Sequence, residues 1–201
     1  NQDALILTVA AKGKLGEQGI KLDKKTGGAL SRAIKVHSFS GNKEKTLTIL
    51  SPAKTHLTRL VLAGIGDAAE ADANVYARAG AAAIIATGNK DSQAVMLIDR
   101  FKNMSLTEAE AAAQMALGAQ LRFYRFDKYF TKLTPDQKQT LKSLIVACKD
   151  PKAAKALYAP LDKIVDAVYL ARDLITEPGN ILYPETLAQH ALALTDLGVK
   201  V

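Results

Sequence analysis

Three carboxylates, Asp162, Asp166 and Asp173, project within about 40° of one another if their segment is a helix turning about 100° per residue. Acids stacked this way can hold a divalent cation. Lys163 sits among them, however, and no further ligand is near, so a solvated polar face is the simpler reading. The histidines His37, His56 and His190 are isolated, and neither HExxH nor a Cys/His metal spacing occurs. No Ser stands in a GxSxG elbow. The single cysteine, Cys148, lies in the apolar run LIVAC, and the expectation is a buried, inert thiol in a reducing, cytoplasmic protein.

Two composite motifs imitate ligand sites. The run GIGDAA, residues 64–69, follows an apolar strand-like run and precedes a helical one, as a dinucleotide-binding glycine turn does. The acid that ends the next strand-like run, Asp99, lies 33 residues past Gly66, whereas the fingerprint places it about 20 on. A structural strand-to-helix turn is therefore expected. In RFYRFDKYF, residues 122–130, Phe123, Tyr124, Phe126, Tyr129 and Phe130 interleave with Arg122, Arg125 and Lys128. Such mixtures can stack bases and track phosphates. The alternative is a helix end whose rings pack inward while its charges face water, and that reading is preferred.

The elements that must carry these residues come from periodicity and caps. Residues 4–10 and 58–65 read as buried strands, and 94–98 and 141–148 as two more. Residues 12–19 read as a Gly- and Lys-rich loop and 26–33 as a short helix. Runs 35–39 and 45–50 around Ser40-Gly41-Asn42 suit a hairpin. Asp72 caps a helix to Thr87, stopped by Gly88-Asn89; Ser105 with Glu108 makes a capping box for another, to about Leu121. Alternating strands and helices imply an α/β fold with a mixed sheet flanked by helices. The Ala- and Gly-rich helices suit close approach to the sheet, and leucine at Ala82 or Ala112 should overpack if those sites are buried.

At 48% hydrophobic and 23% charged, the composition is that of an ordinary globular protein. The longest apolar runs fall well short of the ~18 residues a membrane span needs, so no membrane association is expected. No secretory leader is visible, and Asn1 rather than Met suggests a trimmed start. The net charge of +7 permits a nucleic-acid partner, but the lysines are scattered rather than gathered into one tract.

Toward the end, Asp150-Pro151 suits a helix start, and Pro160 should break or restart that helix. Leu161, Ile164, Val165, Val168, Ala171 and Ile175 form one apolar stripe, with Leu170 and Leu174 nearly opposite, so burial between two bodies is expected. Arg172 projects from the first stripe and needs a partner there, which makes it a structural or interface anchor. Glu177-Pro178 ends the helix, Gly179 permits a turn and Asn180 can bond its own backbone. Pro184 opens a new helix to about Asp196 or Leu197, and residues 199–201 look like the start of a strand.

The stretch ARDLITEPGNILYPETLA, residues 171–188, resembles the A-R-D-L-x-N-x-P-x-N-x-L-T-P-E signature that opens the catalytic domain of the leucyl (cytosol) aminopeptidase family. YRFDKYFT resembles a second family segment, and KTGGALSRAI, FSGNKEKTLTIL and RLVLAGIG follow in the family's order. Thr176 stands where the family often has Asn, and Tyr183 where it usually has Thr; a ring cannot cap, which costs about 1 kcal/mol. The resemblance implies a macro-domain-like region over residues 1–150, a linker helix over 151–176 and the start of the catalytic domain over 177–201. It implies a metalloaminopeptidase with two divalent ions (zinc, manganese or magnesium), a homohexamer that removes N-terminal residues from peptides. The family's metal-binding and catalytic residues are expected beyond Val201. No catalytic, cofactor-binding or metal residue transfers, and Arg172, Asp173, Pro178, Asn180 and Pro184 are carried over as structural or interface residues. The chain alone is expected to be inactive and metal-free, with its own catalytic domain as partner. The alternative is a binding module holding DNA on its basic surface, or an ADP-ribose-type nucleotide near residues 64–69.

Overall fold

The computed structural model describes residues 3–88 and 91–201, so the expected stop at Asn89 falls outside the described residues. Strand β1 (Asp3–Ala10) is the centre of the sheet and is followed by the two-residue β2 (Lys14–Leu15) and by helices α1 (Glu17–Lys25) and α2 (Ala29–Val36). Then come β3 (Thr46–Leu50), β4 (Arg59–Gly66), α3 (Ala73–Thr87), β5 (Gln93–Leu97) and α4 (Glu108–Phe123). The chain ends with β6 (Ser143–Ala147), α5 (Pro151–Thr176), α6 (Pro184–Leu192) and a 3-10 turn over Ala193–Leu197.

The strand order is β3-β4-β1-β5-β6, with β2 attached to β1. β1 runs parallel to β4 and β5, and β5 to β6, whereas β3 is antiparallel to β4 and β2 to β1, so the sheet is mixed. The runs ILTV and LVLAGI are buried throughout because helices cover both faces, and Thr8 is their one polar residue. On one face Ala4, Ile6, Val61, Ala63 and Met96 meet α3 and α4. On the other, Leu7, Val9, Leu60 and Leu62 meet Leu30 and Ile34 of α2.

Close approach of α3 and α4 explains their small residues. A Cβ at Gly118 would stand 1.7 Å from the Ala77 carbonyl oxygen, and one at Gly80 2.1 Å from that of Met115. The small residues thus serve helix–helix contact as well as contact with the sheet. Ala112 is buried and Ala82 half-buried.

Several local expectations change. Residues 35–39 do not form a strand: α2 runs to Val36, because Leu30, Ala33 and Ile34 give it an apolar face toward the sheet. The hairpin expected around Ser40-Gly41-Asn42 does not form, and β3 pairs antiparallel with the next strand, β4, instead. Part of the expected loop 12–19 belongs to β2 and α1. The capping box of α4 lies two residues later: Thr107 Oγ1 accepts from Glu110 N at 3.2 Å, and Glu110 Oε2 accepts from Thr107 N at 2.8 Å. Ser105 Oγ instead donates to the Ala71 carbonyl. Pro160 lies inside the 26-residue α5 without breaking it, and that helix packs along α4. Tyr169 Oη and Arg172 reach the last carbonyls of α4 and help hold α5 in place. Val165 is 2% exposed on that side, while Ile164 is 51% and Ile175 85% exposed, so the described residues of this chain cover one side of α5. Residues 199–201 form no strand.

Candidate functional site

The glycine turn is filled by the chain's own backbone. Gly66 N donates to the Gly41 carbonyl at 2.8 Å and Gly64 N to that of Lys45 at 2.8 Å. A Cβ at Gly64 would lie 2.1 Å from the Asn42 oxygen, and Gly66 takes a φ of +70°. Both glycines are needed for loop 41–45 to cross the end of β4, and the first turn of α3 begins several residues later at Ala73. Asp99 also serves the fold. It is fully buried, and its carboxylate accepts from Gln18 N at 2.9 Å and Gly19 N at 2.7 Å, capping α1 at the carboxyl edge of the sheet.

The acids of α5 are divided among separate partners. Asp173 Oδ1 accepts from Tyr124 Oη at 2.7 Å, and Asp166 Oδ2 from Lys163 Nζ at 3.2 Å. Among the described residues, no group of three or more His, Cys, Asp or Glu is gathered to hold a metal ion. The donors present therefore do not fit a two-metal centre. Cys148 is half-buried rather than fully buried, and burial pushes its thiol pKa up, away from reactivity at neutral pH.

Chemistry-bearing side chains do converge where α4 ends and α5 meets the joint. Arg172 donates to the Leu121 carbonyl at 2.7 Å, satisfying an orphan carbonyl in the last turn of α4, and its guanidinium lies 5.3 Å from the Tyr124 ring centroid. The Tyr124 and Tyr169 rings sit 5.0 Å apart, tilted. Lys128 Nζ donates to Glu177 Oε1 at 2.7 Å, and Tyr129 Oη donates to Glu177 Oε2. Bonds from Lys128 first and Tyr129 second hold the Glu177 carboxyl below its ordinary range, and the same contact raises Lys128. For Tyr124, burial and then the bond to Asp173 raise the phenol. Arg125 stands 3.8 Å from Asp127. Much of the 122–130 segment is thus committed to its own chain rather than displayed for nucleic acid. The pairing of Lys128 and Tyr129 with Glu177 was missed because it joins residues far apart in sequence; the only local signal was the interleaving of rings and cations.

After Glu177 the chain turns at Pro178, whose carbonyl accepts from Ile181 N at 2.8 Å and Leu182 N at 2.9 Å. Those bonds close the turn, while Asn180 is exposed. Gly179 does not have a positive φ, and a Cβ there would meet nothing within 4 Å, so the turn does not require glycine. Pro184 opens α6 as expected, and Thr186 Oγ1 accepts from Tyr183 N at 2.9 Å, which replaces part of the missing N-terminal cap.

The model of the cytosol aminopeptidase family, N-terminal domain, matches residues 6–133. A probable cytosol aminopeptidase of Caulobacter vibrioides is 38% identical over 176 residues, covering 88% of this chain and 34% of that protein. One from Gluconobacter oxydans is 36% identical over 191 residues, covering 92% and 36%. The chain therefore spans about a third of the length of these relatives. Among solved structures, a tomato leucine aminopeptidase mutant shares the fold with a TM-score of 0.74 at 21% identity, over 98% of this chain and 40% of that one. The bottromycin maturation enzyme BotP in complex with Mn gives a TM-score of 0.72 at 23% identity, over 98% and 37%. With the family match spanning most of the β-sheet and relatives extending through the joint, the chain belongs to the cytosol aminopeptidase family and carries its N-terminal domain.

Proposed function

We propose that this chain is the non-catalytic, assembly-directing region of a metal-dependent leucyl aminopeptidase that removes N-terminal residues from peptides in the cytoplasm. The observation that carries this is the match of residues 6–133 to the family's N-terminal domain. On this reading residues 1–150 are the macro-like body, 151–176 the linker helix and 177–201 the entry to the catalytic domain. Two divalent ions would be held by residues outside this chain. Manganese has the support of the similarly folded bottromycin maturation enzyme BotP, whose structure is in complex with Mn.

The exposed stripe of α5 fits the same assignment. Leu157 is 42%, Ile164 51% and Ile175 85% exposed, although all three are apolar. Such a stripe on a 26-residue helix suits burial against a catalytic domain, in a subunit that assembles as a hexamer. Arg172, Asp173, Pro178, Asn180 and Pro184 set the geometry of the joint and perform no chemistry.

The test is turnover of a leucyl anilide with manganese added. The purified 201-residue chain should show none, and addition of the remaining two-thirds of the protein should restore it. Metal-dependent turnover by the chain alone would refute the assignment.

A further inference from the structure

We propose that residues 124–130 form a strap that fixes the direction in which the chain leaves α5, acting through Glu177. The strap starts where α4 ends, and its hydroxyl and ammonium groups reach one face of α5. Tyr124 bonds Asp173, while Lys128 and Tyr129 both bond Glu177, four residues and one helical turn further on. Beneath it, Tyr169 and Arg172 tie α5 to the carbonyls of Gln120 and Leu121. Glu177 is also the C-cap residue of α5, and its side chain is only 9% exposed although it carries a charge. A residue held by two donors immediately before a proline has little freedom to redirect the chain.

The far side of this contact is open. A cavity of about 320 Å³ separates the strap from the turn and α6, lined among others by Arg125, Leu174, Ile181 and His190. Space there lets the turn and α6 swing once Glu177 is released, while the Arg172 and Tyr169 bonds keep α5 on α4. The strap is thus a latch between the α/β body and whatever follows the joint, independent of any peptidase chemistry.

Hydrogen exchange on the 201-residue chain tests this. Ile181 and Leu182 amides, bonded to the Pro178 carbonyl, report on the turn, and the amides of β4 report on the body. Glu177→Ala should speed exchange at Ile181 and Leu182 roughly fivefold and leave β4 within about twofold of the parent. Lys128→Met, which leaves α5 intact, should give a smaller change in the same direction. Unchanged rates at the turn in both variants overturn the proposal. So does acceleration of equal size across β4, which would mean general destabilisation.

Discussion

Tyr76 and Glu177 are opposite outcomes for a polar group taken out of water. Tyr76 is fully buried, its hydroxyl has no hydrogen-bond partner among the described residues, and burial pushes its pKa up to about 12. An unpartnered buried hydroxyl is a liability, so Tyr76→Phe should leave the unfolding free energy unchanged or raise it by about 1 kcal/mol, read from denaturant unfolding. A clear loss would reveal a partner for the hydroxyl. Glu177 has its partners, and its depressed pKa makes the contact pH-dependent in a stated direction. The stabilisation is full above the ordinary glutamate value of about 4.3 and is lost as pH falls through the lower folded value. For the raised Lys128 it is full below about 10.4 and lost as pH rises through the folded value. A carbon NMR titration should therefore place the Glu177 midpoint below that of a model peptide and move it upward in Lys128→Met. A midpoint at or above the model value contradicts the contact.

Among the elements, the helix pair α3–α4 tolerates least. With 1.7 Å between a Cβ at Gly118 and the Ala77 oxygen, Gly118→Ala must push the helices apart, at about 1–3 kcal/mol or more. Gly179→Ala, in open space without a positive φ, should be neutral or stabilise by about 0.5 kcal/mol. Melting temperatures that ranked the two the other way would contradict both arguments. The same contrast explains what could be read in the sequence. β1 and β4 were legible because continuous apolar runs need cover on both faces. The starts of α3 and α5 were legible because Asp72 and Asp150 cap locally, accepting from Val75 N at 2.9 Å and Ala153 N at 3.0 Å. α1 was not legible: its N-cap, Gly16, makes no side-chain bond, and the acid that satisfies its amides, Asp99, comes from the segment just after β5. At the joint, the Pro and Asp signals were visible, but the contacts of Arg172 and Glu177 depend on the packing of α5 along α4.

For the whole molecule, the question is what α5 is for. One face settles on α4, while Ile164 and Ile175 face outward. Aspartate at both positions should leave the melting temperature of this chain within about 1 °C, because neither site is buried here. On the proposed assembly, the same pair in the full-length protein should lower its mass, measured by size-exclusion chromatography with light scattering. Normal assembly would remove the exposed stripe from the proposed interface.

The bond between Asp99 and the first turn of α1 also has a kinetic consequence. Gln18 and Gly19 lie 81 and 80 residues before the acid that holds them. A nine-residue helix is too short to persist alone in water, so α1 should gain its first turn only after β5 has joined β1. In pulse-labelled refolding, the amides of β1 and β4 should become protected before those of Gln18 and Gly19. Helix α1 would then be among the late pieces to order, although it precedes β4 and β5 in the chain.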